Sequence, residues 1–346
     1  MNYKISIILP FFYSHDKKFN KGKNFSLLAF EKCLSAIFKS YYPNYEVIAI
    51  SDGSSKESII IAEKYPCKII KLKKNYGAAF SRNKGASISN GKILVFLDSD
   101  VEIKKNAFSI INKFFDSKDK ENVIQGVYSH KPNYKSSVTQ YLHSYHCYHL
   151  FSETKNNKYT QTLCSAFFAI KKDLFIKYKG FDVKFNKASA EDADFGFKLI
   201  KNQHKITLER KLNAKHHIDF NILSFTKRII RLHTDEMKMY LRNKSANLKV
   251  KQSNYSIVIF GIILIFFMTI LIFINLFYPL FFFKKILIIL NLIFMMIHKN
   301  FIIFMLSTKG LAVSLKAIFY IYLHRLLFSV CFFRGLIDFY ILRNRY

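Results

Sequence analysis

Short apolar runs alternate with stretches of helix length through the first two hundred residues. Ile5–Leu9, Glu46–Ile50, Cys67–Lys71 and Ile93–Leu97 each hold five residues, rich in Ile and Val, and each ends at a polar turn. Between them, Leu27–Lys39, Lys56–Tyr65 and Ala78–Ser89 are long enough for helices. This alternation predicts an α/β fold with a parallel sheet covered on both faces. Ligands of such sheets sit beyond the carboxyl ends of the strands. Three acids stand at those ends: Asp52 after the second run, Asp98 and Asp100 after the fourth.

The pattern changes towards the C-terminus. From Lys227 to Lys251 there are eight Lys and Arg against two acids, Asp235 and Glu236. Tyr255–Phe283 then runs 29 residues with no ionisable group but tyrosine. A helix of that length exceeds the roughly 30 Å hydrocarbon core of a bilayer. The reading is an α/β domain over 1–240, a basic juxtamembrane segment over 241–254 and a membrane region over 255–346. Spans are expected at about 256–278 and 286–306, with an interfacial helix at about 311–340, where Lys316, His324 and Arg325 interrupt the apolar residues. The basic flank sets the preceding domain on the cytoplasmic side by the positive-inside rule. No signal-peptide pattern opens the sequence, so a multi-pass protein of the cell inner membrane with its N-terminal domain in the cytoplasm is expected.

Composition sharpens this picture. The formal net charge is +31, yet hydrophobic residues make up 51%. A basic protein against an anionic membrane combines the two. Nucleic-acid binding would also use such charge, but the basic residues form no single stripe and the apolar ones gather at one end. Five scattered cysteines with no CxxC spacing give neither a disulfide framework nor a zinc module.

Four short motifs carry the candidate chemistry. In Ser51-Asp52-Gly53-Ser54, Asp52 suits hydrogen bonds from a base or ribose, or else an ordinary Asp-Gly turn before a helix. Asn75 to Gly85 opens a helix with small residues and sets Arg82 and Lys84 about two turns in, an arrangement that suits a diphosphate. Asp98-Ser99-Asp100 sets two carboxylates close together after a strand, where a divalent cation would relieve their repulsion. Glu191, Asp192 and Asp194 open a helix, either as dipole-stabilised acids or as the seat of a general base.

Taken in order, ISIILP, SDGSS, NYGAAFSRNKGA, ILVFLDSD, GFD and EDADFGFKL resemble a family 2 glycosyltransferase over roughly residues 4–235. The resemblance implies the GT-A fold, a Rossmann-like mixed sheet that binds a nucleotide sugar. It implies Pro10, Asp52, Arg82 and Asp98 at the nucleotide sugar, Asp98 and Asp100 on Mn²⁺ or Mg²⁺, and Asp192 as catalytic base with Glu191 positioning it. His216, rather than His217, would stand near the metal, and Gly180-Phe181-Asp182 would be a structural turn. The expected donor is a UDP-sugar and the expected acceptor a hydroxyl of a lipid-linked glycan or glycolipid, with inversion. The chain has no Trp, so the QxxRW motif of processive synthases is absent and single-sugar transfer is expected. A polyprenyl-phosphate glycosyltransferase and an inactive membrane scaffold are the alternatives. His143, His146 and His149, spaced by three, fit a metal site, an acceptor groove wall or a surface face.

Overall fold

The computed structural model describes residues 4–13, 23–117, 121–129, 134–153, 158–185, 188–243 and 255–344. The expected juxtamembrane stretch 244–254 lies outside them. Contacts divide the chain into two units, one of 1–132 with 154–218, the other of 133–153 with 219–346.

The first unit is a mixed sheet with helices on it. Its strands are β1 (Ile5–Phe11), β2 (Tyr45–Asp52), β3 (Lys68–Leu72), β4 (Ile93–Leu97), β5 (Val101–Ile103), β6 (Val123–Tyr128), β7 (Tyr159–Thr160), β8 (Phe167–Lys171) and β9 (Ile206–His216). The helices are α1 (Lys23–Phe38), α2 (Lys56–Glu63), α3 (Ala78–Ser87), α4 (Ala107–Asp116), α6 (Lys172–Lys177) and α7 (Glu191–Lys201). The four expected strands match β1 to β4 within a few residues. β4 is buried along its whole length, as a strand covered on both faces must be, and therefore reads as a continuous apolar run.

Strand order is β3-β2-β1-β4-β8-β6-β9-β5, with β7 beside β9. β3, β2, β1 and β4 pair in parallel, whereas β8 runs antiparallel to β4. The chain leaves β1 on one side to form β2 and β3, then returns to β1's other side as β4. That reversal opens a crevice between the carboxyl ends of β1 and β4. Pro10, Asp52 and Asp98 all stand at this end of the sheet.

A cluster of aromatic rings supports β4 and α7. Phe96 stacks on Phe168 at 4.9 Å, and Phe195 packs 5.2 Å from both Phe175 and Phe181. The Gly180-Phe181 turn is clasped by Asn83, whose amide donates to the Phe181 carbonyl and whose oxygen accepts from the Phe181 N–H, at 2.7 and 3.0 Å. Gly180 has φ +59°, and an added Cβ would lie 2.5 Å from Asn83 Oδ1. The turn is thus structural, as its sequence implied.

The second unit is helical: α5 (Ser137–Glu153), α8 (Ile222–Asn243), α9 (Tyr255–Phe277), α10 (Phe281–Lys309) and α11 (Leu311–Leu336), the last followed by a π turn over Ile337–Ile341. Pro279 separates α9 from α10, since it cannot supply the backbone donor a continuous helix needs. Three stretches, Ile259–Phe277, Phe281–Lys309 and Leu311–Ile341, are long and apolar enough to cross a membrane. The third was expected to lie in the interface. Its His324 and Arg325 are buried within the unit, while Lys316 is exposed; by length and composition the helix also qualifies as a span. That α8 falls in the helical unit has a physical reason. α8 turns Phe225, Ile229 and His233 to one side, a spacing of four that buries one face of a helix, and they pack with residues of α5 and α11.

Replacing Gly180 by Ala is expected to destabilise the first unit by roughly 1–3 kcal/mol through backbone strain and the Asn83 clash. A thermal unfolding shift checks this, with Lys179→Ala, next to the turn, as control.

Candidate active site

Arg82 gathers the site. It lies on α3, which packs small residues, Ala79 and Ala86, into the core, and the guanidinium is buried. One terminal nitrogen donates to Asp98 Oδ1 at 2.7 Å, the other to Glu191 Oε1 at 2.9 Å. The ring of Phe181 forms its floor, 5.6 Å from the guanidinium carbon. Burial opposes the Arg82 charge, but the Asp98 and Glu191 carboxylates more than offset it and raise the pKa. The sequence put Arg82 near the base or diphosphate. Here its terminal nitrogens join the acid after β4 to the acid opening α7.

Glu191 is buried, and its second oxygen accepts from the Ser189 N–H at 2.7 Å. Asp192, next on α7, points its carboxylate differently. Oδ2 accepts from the Ser165 N–H at 2.9 Å and the Ser165 hydroxyl at 3.1 Å, and Oδ1 from the Ala193 N–H at 2.8 Å. Burial, then the neighbouring Glu191 charge, push the Asp192 pKa up to about 6, against the pull of the Ser165 amide and Arg82. A carboxylate poised near neutral pH is what proton abstraction requires.

Asp52 is committed in another way. Its two oxygens accept from the backbone N–H groups of Tyr76 and Gly77 at 2.7 and 2.9 Å. Those amides belong to the turn just before α3, whose N-cap position is Gly77, so Asp52 holds the turn that leads into the helix. Burial keeps its pKa raised despite these donors. Gly53, at φ +72°, lies so close to the 74–75 backbone that an added Cβ would come within 2.7 Å of Asn75 N.

Asp100 and His216 come together at the other side of the Asp98-Ser99-Asp100 turn. His216 ends β9, and its Nε2 is 3.5 Å from Asp100 Oδ1. The His216 ring stacks on Tyr128 at 4.4 Å. The antiparallel pairing of β5 with β9 explains why His216 and His217 differ. Successive residues face opposite ways, and His217 meets Glu102 at 2.8 Å. Among the described residues no three His, Cys, Asp or Glu form a ready cage for a metal. Asp98 Oδ1 already accepts from Arg82. Asp100 and His216 therefore supply a carboxylate and an imidazole, a donor pair that fits a divalent cation drawing its other ligands from phosphate oxygens and water.

Sequence reasoning missed Ser165, Tyr13 and Tyr128. The Tyr13 hydroxyl lies 2.9 Å from Ser99 Oγ, inside the acidic turn. Tyr128 ends β6, a strand whose Gly126 weakens the apolar pattern; recognising that strand would have put Tyr128 at a carboxyl end. Nothing local marks Ser165. The histidines of α5 do not converge: His143 is buried against Tyr134 and Cys147, His146 is exposed, and His149 packs on Tyr145. All five cysteines are free.

Residues 26–179 match the family model for glycosyl transferase family 2. The glycosyltransferase YibD of Escherichia coli (strain K12) is 30% identical over 104 residues, 29% of this chain and 27% of the relative. The minor teichoic acid biosynthesis protein GgaB of Bacillus subtilis (strain 168) is 31% identical over 126 residues, 35% of this chain and 13% of the relative. The chain thus spans well under half the length of these relatives. Among solved structures, a mannosyltransferase from Pyrobaculum calidifontis, in complex with GDP-Man and Mn²⁺, superposes with TM-score 0.59 at 12% identity, over 98% of this chain and 87% of that one. At that identity the likeness concerns the fold alone.

Two measurements test this geometry. Arg82→Met leaves Glu191 buried without its cation and is expected to destabilise the unit by about 3–5 kcal/mol; adding Glu191→Gln should recover part of that loss in thermal unfolding. Asp192 tests the sign of its own shift. With a folded pKa raised from 3.8 to about 6, stability is lost as pH rises through that window. Asp192→Asn should therefore be more stable than the native chain at pH 7, and the gain should vanish near pH 4.

Proposed function

Because the chain carries a family 2 glycosyltransferase domain, we propose that it moves one sugar from a nucleotide sugar to a hydroxyl of a lipid-linked glycan or glycolipid, with inversion. The observation carrying this reading is the pairing of two acid groups. Asp98 and Asp100 sit at the sheet's carboxyl end, and the Arg82 bridge ties Asp98 to Glu191, beside Asp192. A UDP-sugar is the first donor to try. The teichoic acid relative supports an acceptor in envelope glycan assembly, and the three apolar helices support a membrane-held one, with the chain multi-pass in the inner membrane and its sheet unit in the cytoplasm.

Asp192 accepts the proton from the acceptor hydroxyl as that oxygen bonds to the sugar's anomeric carbon. The bond from that carbon to the diphosphate breaks in the same step, and the nucleoside diphosphate leaves with the electron pair. Ser165 and the Ala193 amide fix the direction of the Asp192 carboxylate, while its raised pKa keeps it basic enough to take the proton. Glu191 holds the start of α7 through Arg82. Asp52 shapes the Tyr76–Gly77 turn and leaves its remaining lone-pair capacity towards the base or ribose, beside Pro10. Asp100 and His216, with Asp98, would hold Mn²⁺ or Mg²⁺, which when bound offsets charge on the leaving diphosphate.

Asp192→Asn is expected to lower kcat by about 10²–10⁴-fold with little change in donor KM. The native rate should rise with pH and level off above about 6, the value for Asp192. Transfer by the variant at the native rate, measured with a radiolabelled donor and membrane lipid extract, would refute the base assignment.

A further inference from the structure

A short segment between β7 and β8 joins α7 to the turn after β4. Leu163 to Ala166 belong to no strand, and Leu163, Ser165 and Ala166 are buried. Buried backbone outside a ladder must find its hydrogen-bond partners among side chains or distant backbone. Here each residue meets a different neighbour. Leu163 packs so closely on α7 that a Cβ added at Gly196 would lie 2.7 Å from the Leu163 Cβ. The Cys164 N–H donates to Gln125 Oε1 at 2.8 Å. The Ser165 N–H and hydroxyl hold Asp192. The Ala166 carbonyl accepts from the Asp98 N–H at 3.0 Å.

Gln125 is an unexpected residue for its place. It lies on β6, between β8 and β9, and is 1% exposed. Its strand partners are apolar, Phe168 on β8 and Leu208 on β9. Oε1 is committed to Cys164, and the buried Nε2 has no hydrogen-bond partner among the described residues. A buried donor left unpaired is costly, and an apolar side chain of the same volume would avoid that cost. The register of β6 against β9 also shifts just past this residue, between Gln125 and Val127. Such bulges re-aim side chains and are common beside active sites. The shift needs glycine at 126, where an added Cβ would meet Phe167 at 2.5 Å and the Leu212 carbonyl at 2.7 Å. Packing alone would favour an apolar residue at 125, so the use of the amide lies in what its oxygen holds.

We propose that Gln125 is a positioning residue for Asp192, acting through the Cys164–Ser165 backbone. The Cys164 Cα joins the peptide plane held by Gln125 to the plane whose N–H meets Asp192. With the first plane fixed, the second turns only about the two Cys164 dihedrals, and the contacts of Leu163 and Ala166 on either side restrict that turn. Without the Gln125 oxygen the Cys164 N–H loses its acceptor, the segment rotates, and the Ser165 donors leave the line of Asp192 Oδ2. This role deepens the sugar-transfer reading and rests on Asp192 as its base.

Hydrogen exchange of the full native chain in detergent, read by mass spectrometry on overlapping peptides, should show the Cys164 amide protected at least about tenfold over an unstructured chain. Free exchange there overturns the proposal without any variant. Gln125→Met fills a similar space but offers no oxygen, and should lose that protection. With radiolabelled donor and membrane lipid extract, its kcat should fall about 10–100-fold while donor KM stays within about twofold, the mark of a misplaced catalytic group. An unchanged kcat, or a raised donor KM at native kcat, overturns the assignment. In the Asp192→Asn background, Gln125→Met should cost less than about twofold more, since both act on one proton transfer; a full additive loss places Gln125 elsewhere and overturns it. Asp192→Asn also separates the two claims. A native rate in that variant sinks the base and this role with it, whereas an impaired Asp192→Asn beside a full-rate Gln125→Met sinks this role alone.

Discussion

The site depends on one buried guanidinium held between two carboxylates. Arg82 reaches Asp98 on one side and Glu191 on the other, 16 and 109 positions away in sequence. Glu191, which is buried, could not be desolvated alone, since a lone buried charge is far more expensive than a paired one. The pairing has a second consequence. With Glu191 engaged, Asp192 is the acid of α7 left facing Ser165, and the neighbouring charge helps raise its pKa. Stability and chemistry are opposed at this point: the elevated pKa that favours proton abstraction also destabilises the fold at neutral pH.

Support for this bridge comes from apolar packing. Phe181 lies under the guanidinium, and its turn is held by Asn83, one residue along α3 from Arg82. Small residues on α3 let the helix approach β1 and β2; an added Cβ at Gly85 would fall 2.6 Å from Ile8 and 2.7 Å from Ile50. Close packing therefore sets the depth of Arg82, and the depth makes its two ion pairs matter.

Strand-period reasoning found the first four strands because all are rich in Ile or Val, and β1, β2 and β4 are also central and largely buried. It also found the acids, since a parallel sheet exposes chemistry at one end only. The later strands were harder. β6 contains Gln125 and Gly126, β9 is mostly polar, and their pairing joins residues far apart in sequence, which no local pattern records. The same limit hid Ser165 and the Arg82 bridge. Arg82 was visible as a cation on a helix, but its partners are 16 and 109 positions away. In the C-terminal region, composition revealed apolar helices, but a sequence cannot show that the Arg325 charge points inward to His298 and Tyr145.

The central claim is that Asp192 acts as a base in a single displacement. The anomeric configuration of the first-formed product, read by proton NMR before mutarotation or hydrolysis, tests it most directly. The account predicts a configuration opposite to that of the donor sugar. A retained configuration would contradict it, because retention calls for a different mechanism from direct attack by a hydroxyl activated at Asp192.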